Sequence, residues 1–168
     1  MIPDFNQISS FWEHNQLKRW PKEPLKACGL SNDVVVYLSS VGLPCPNDWP
    51  WEIDSRVDSL PCVDTDGTLL AITYDGVVPI CIDRSKSERV VAVESMETSR
   101  FVNSTVMQFG ACLYHFRSRA YYRSADTDSD REAAEKLYLD IIETDPIAVA
   151  EPNLYWTGIL SQVFEGRL

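Results

Sequence analysis

Cys112 and His115 stand three residues apart in a stretch of helical periodicity, so a thiol and an imidazole share one helix face, as two zinc ligands would. A closed zinc site needs a second pair of ligands, and none follows, so no metal is expected. Asp64-Thr-Asp66-Gly67 resembles the opening of a calcium loop. Its glycine comes two places early and no glutamate follows at the required distance, so it reads as a turn. Arg100, Arg117, Arg119 and Arg123 surround the same helical stretch. They either meet a phosphate or carboxylate or form a solvated face. The 25 acidic residues are enough for a general acid and base to meet in the fold, as a hydrolase would need, but their spacing does not locate such a pair. Walker, dinucleotide-binding, nucleophile-elbow and zincin motifs are absent, and the seven glycines are not clustered. The reading is a protein without catalytic residues or cofactors.

Five cysteines, Cys28, Cys45, Cys62, Cys81 and Cys112, are widely spaced with no C-x-x-C pair, the pattern of reduced thiols. The N-terminal residues lack a basic start and an apolar run of signal-peptide length. Nowhere are there about 18 consecutive apolar residues, so a soluble cytoplasmic protein is expected.

The net charge of −10 is unevenly distributed. Residues 33–75 carry eight acids against Arg56 alone, a local charge of −7; residues 126–145 carry eight acids against Arg131 and Lys136, a local charge of −6. Such a chain is repelled by nucleic acid and by anionic membrane, and its electrostatically favoured partner is a basic protein.

At 168 residues with 45% hydrophobic content, residues 1–168 form a single domain with a core of its own. Phe5, Ile8, Phe11 and Trp12 predict a short amphipathic helix, and a proline-punctuated connector with Pro21 and Pro24 follows. Ser31-Asn-Asp opens a helix carrying Val34, Val35, Leu38 and Val41, which Gly42 and Pro44 end. Residues 69–74, 77–82 and 89–93 read as strands with an Asp75-Gly76 type I′ turn between the first two, so the sheet is an antiparallel meander. Val102, Val106, Phe109, Leu113 and Phe116 recur at spacings of four, three, four and three, the stripe of a central helix that covers the sheet. Asn103 is one candidate N-cap, and Thr105 with Gln108 offers an alternative capping box. Helices over 130–144 and 154–164 complete an α+β fold, an antiparallel β-meander packed against helices.

The stretch between these elements that looks built for contact is proline-rich, with Pro44, Pro46, Pro50 and Pro61 around Trp49 and Trp51. Tryptophans beside acids make interface anchors, although tryptophan also fills cores. The candidate partner-binding residues are Asp48, Trp49, Trp51, Glu52, Asp54, Asp64 and Asp66.

Several segments carry a resemblance in their order and spacing: "FW" at 11–12, "VGLP" at 41–44, the meander, "FVNST" at 101–105 with the helix after it, and "TDPIAVAEPNLYW" at 144–156. Together they resemble the SUKH superfamily of bacterial immunity proteins, specifically its fourth subfamily. The resemblance implies an α+β domain that neutralises a cognate polymorphic or contact-dependent toxin by binding it, the toxin being a nuclease or nucleic-acid deaminase in many such systems. It gives the acidic surface a purpose, occlusion of a basic cleft. An interaction scaffold of the same fold that regulates another cellular protein is the alternative, ahead of a hydrolase with a carboxylate pair.

Overall fold

A computed structural model describes residues 5–12, 16–45, 51–52, 59–95, 97–121 and 127–167. In chain order they form α1 (Phe5–Phe11), β1 (Leu17–Lys18), α2 (Lys22–Ala27), α3 (Asn32–Ser40), β2 (Leu43–Pro44), β3 (Trp51–Glu52), β4 (Leu69–Asp75), β5 (Val78–Asp83), β6 (Arg89–Ser95), β7 (Thr98–Asn103), α4 (Val106–Phe116), α5 (Thr127–Thr144) and α6 (Tyr155–Phe164). The five strands β3-β4-β5-β6-β7 lie in that order, every neighbour antiparallel, and β1 and β2 make a separate two-stranded ribbon. The α+β meander expected from the sequence is the architecture observed.

Residues 16–31 are more ordered than a connector. Pro21 takes the N-cap position of α2, where a missing N–H costs nothing, with Glu23 in the first turn and Lys26 in the last, each matched to the helix dipole. The stop of α3 follows its expected mechanism. Gly42 has φ +85° and its amide returns to the Tyr37 carbonyl at 3.0 Å. A Cβ there would fall 2.2 Å from the Lys18 carbonyl oxygen, because β2 turns back at once to pair with β1.

Alternation along the meander sorts its side chains. Leu70, Ile72, Ile80, Ile82, Val90, Ala92 and Val102 face the main core, while Ala71, Cys81 and Val91 form a smaller buried cluster on the opposite face. The first hairpin differs from the Asp75-Gly76 expectation. Asp75 pairs with Val78, so the loop is Gly76–Val77 with positive φ at Gly76 only, as a type II′ turn requires.

On the core face α4 buries Val106, Phe109, Cys112, Leu113 and Phe116 against the sheet and α3. Its start decides between the two cap readings in favour of the second. Thr105 is the N-cap, its hydroxyl accepting from the Gln108 amide at 3.2 Å; Val102 and Asn103 belong to β7. Asn103 is therefore a fully buried strand-end amide. Its Nδ2 donates to the Asp145 carboxylate at 3.1 Å, and its Oδ1 accepts from the Trp156 indole N–H at 2.8 Å. Asp145 also receives the Ser104 amide at 2.6 Å and the Ser104 hydroxyl at 3.0 Å, and Gln108 Nε2 donates to the Thr144 carbonyl at 3.0 Å. One buried network thus clasps the end of β7, the start of α4, the end of α5 and the first turn of α6.

Truncating Asn103 takes one of three donors from the buried Asp145 carboxylate and the acceptor from the buried Trp156 indole N–H. We expect Asn103→Ala to cost about 3 kcal/mol in urea unfolding, at the upper end of single buried hydrogen-bond losses. A loss below about 1 kcal/mol would remove the clasp as the element that holds the helices to the sheet.

Candidate partner-binding surface

The turn carrying Asp64 and Asp66 is built by the chain doubling back beside β4. Cys62 bridges Leu70, the Val63 amide donates to the Leu69 carbonyl at 3.0 Å, and the Ala71 amide to the Pro61 carbonyl at 2.9 Å. Asp64 closes this reversal. Its carboxylate accepts the Thr68 hydroxyl at 2.6 Å, the Leu69 amide at 2.9 Å and the Thr68 amide at 3.1 Å. The Thr68 hydroxyl first, and then the Leu69 amide, hold its carboxyl down at about 2. The calcium-like spelling is therefore a turn, and Asp64 shapes it. Asp66 is exposed at the tip, with the Thr65 hydroxyl 3.4 Å away.

Trp51 and Glu52 form β3, the edge strand beside β4, opposite Asp75 and Tyr74 respectively. Asp75 in turn accepts the Tyr155 hydroxyl at 2.8 Å, which ties the head of α6 to this edge of the sheet. Asp48, Trp49 and Asp54 lie outside the described residues. The structure thus puts Asp64 and Asp66 in one turn and Trp51 and Glu52 on the strand paired with the far end of β4.

The residues with chemical potential separate. The Cys112 thiol lies 3.5 Å from Asn103 Nδ2, whereas His115 Nδ1 lies 3.4 Å from Asp140 on α5, so the two do not converge on one point. Burial pushes the Cys112 thiol up. Among the described residues no group of three His, Cys, Asp or Glu side chains could hold a metal ion. The arginines scatter: Arg100 pairs with Glu94, buried Arg117 lies over the Trp12 ring, Arg119 binds Asp140 at 2.9 Å, and Arg123 is outside the described residues. Asp140 and Glu143 do line one polar cleft together with His115, Ser118 and Arg119. Its carboxylates do not stand as a free acid and base, because Asp140 is engaged by the Arg119 guanidinium. Burial lowers the His115 pKa more than Asp140 raises it, so the ring is neutral at neutral pH.

The Asn103–Asp145–Trp156 clasp was not legible as such. Its members lie in the segments that carry the family resemblance, yet read singly as a cap, a helix break and a core aromatic. No helix among the described residues is long and apolar enough to cross a membrane.

The family model described as SUKH-4 immunity protein matches residues 3–162, nearly the whole chain. No curated protein and no solved structure matches it. The chain belongs to the SUKH-4 immunity protein family, which gives it an immunity function and a cognate toxin as partner.

Two acid-sensitive groups set the expected pH profile. His115 has a folded pKa below its unfolded value, so the unfolded chain binds the extra proton and stability falls as pH drops below about 6.5. Asp64 has a depressed folded pKa, so its contribution is present above about pH 4 and lost toward pH 2. Thermal melts across this range should show His115→Gln flattening the upper loss and Asp64→Asn the lower. Unchanged slopes in both variants would show that other groups drive acid unfolding.

Proposed function

We propose that this SUKH-4 family member is a non-enzymatic cytoplasmic protein that neutralises its toxin by direct occlusion, meeting a basic face of the toxin with an acidic surface. A nuclease or a nucleic-acid deaminase presents such a face, since its own substrate is polyanionic. The proposed contact set is Asp48, Trp49, Trp51, Glu52, Asp54 and Asp66, with Asp64 holding the turn that displays Asp66.

The observation that carries this reading is the uneven charge. A block of −7 concentrated in residues 33–75 is more than solubility requires of one segment, and Asp66 is an exposed carboxylate at a turn tip rather than a structural group. Concentrated acid of this kind steers a basic partner and raises its association rate.

Co-expression with the toxin encoded beside the gene should restore growth and yield a complex that survives purification. The association rate should fall about tenfold or more between 50 and 500 mM salt, while dissociation changes far less. Failure to rescue growth, or an association rate indifferent to salt, would count against the proposal.

A further inference from the structure

The long acidic block near the C-terminus has no role in the contact set above, and the surface it belongs to is more than charged. Where α5 and α6 lie side by side, Ala134, Tyr138, Leu160 and Phe164 line an open groove of about 350 Å³, with Glu135 and Ser161 on its rim. Tyr138 is 43% exposed and Phe164 50%, so the groove holds two of the seven exposed large hydrophobic residues among those described. A soluble chain that leaves so much apolar area together at one place marks a contact site.

We infer that this groove anchors the toxin through a large apolar side chain flanked by lysine or arginine, and the inference rests on the toxin-binding reading above. Charge selects the occupant. Of the nine acids from Thr127 to Arg167, Asp145 is buried in the clasp and Asp140 is bound by Arg119, which leaves seven against Arg131, Lys136 and Arg167. All three cations are already engaged: Arg131 by Glu135 at 3.6 Å and by the Phe164 ring it lies over, Lys136 by Glu132 at 2.6 Å and Arg167 by Glu165 at 2.9 Å. The uncompensated charge of this side is therefore negative. A second copy of the chain would bring the same acids against themselves, whereas a basic protein gains from them.

Continuity with the sheet edge points to the same partner. Tyr155, at the head of α6, is bonded to Asp75, the residue paired with Trp51. The groove residues Thr157 to Phe164 then follow along α6 within about 14 Å of Tyr155, at about 1.5 Å per residue. An interface of ordinary size, about 800 Å² on each partner, spans both. The two surfaces divide the physics of binding: acids accelerate encounter, and a desolvated apolar anchor slows release.

The test uses the full chain and the toxin encoded beside its gene. Tyr138→Ala/Phe164→Ala removes two exposed side chains, and Ser161→Trp fills the groove from its exposed rim; circular dichroism and melting confirm that both variants fold. Each should weaken the toxin complex about 10- to 100-fold, chiefly through faster dissociation, with the salt dependence of association unchanged. Asp66→Asn should do the reverse, slowing association and leaving dissociation alone. Groove variants that fold and bind within twofold of wild type overturn the groove while leaving the immunity reading intact. No complex with the wild-type chain overturns both, and a change in sedimentation mass with unchanged toxin affinity assigns the groove to self-association instead.

Discussion

A carboxylate with almost no exposure costs heavily unless donors match its oxygens, and Asp145 sets that constraint here. Its donors come from Asn103 and Ser104, at the point where β7 gives way to α4, so the end of α5 has one position in which the charge is satisfied. Pro146 follows at once, and the chain leaves α5 through a 3-10 turn, Pro146–Val149, before α6 begins. Trp156 then closes the arrangement by donating to the amide oxygen that Asn103 has left. Placement of α5 and α6, and therefore of every residue on their outer faces, follows from satisfying this one buried charge.

That dependence explains what the sequence could and could not convey. Periodicity exposes a buried stripe, so α4, the core strands of the meander and α6 were readable from Val106, Phe109, Ile80, Ile82 and Ile159. Local turn chemistry was readable too, as at Gly42, where the stop needs only a positive φ and a following proline. Asn103 resisted because its role is decided by residues 42 and 53 positions away, while its neighbours offer it an equally sound local role as a cap. The two-residue strands β1, β2 and β3 have no periodicity to detect and exist through tertiary pairing alone. The turn between β4 and β5 was located correctly but shifted by one residue, because an Asp-Gly pair satisfies type I′ geometry and only the register reveals that Gly and Val occupy the loop.

The candidate contact residues show the same division between local and distant causes. Asp64 was singled out for its charge, and local chemistry uses that charge up within five residues, on Thr68 and Leu69. Asp66, two positions on, keeps its carboxylate at the surface. Composition alone cannot separate the two, since the difference lies in which way the turn folds. The apolar groove was invisible for a related reason. Tyr138 belongs to the apolar side of its helix by spacing, and only the actual position of α6 determines that Ile141 is buried while Tyr138 remains open.

A binding protein needs a stable scaffold beneath its surface, and this fold supplies the separation physically. Asn103, Asp145 and Trp156 are all buried, so no partner touches them and no surface change alters their bonds. Conversely Tyr138, Leu139, Phe164 and Asp66 are exposed, and substitutions at such positions ordinarily change stability by no more than about 0.5 kcal/mol. Energetic coupling between groups that share no contacts is small, so the surface can be rewritten one residue at a time without loosening the clasp beneath it. The residues of the clasp are thus the ones that hold the scaffold together, and the exposed residues are the ones its fold constrains least.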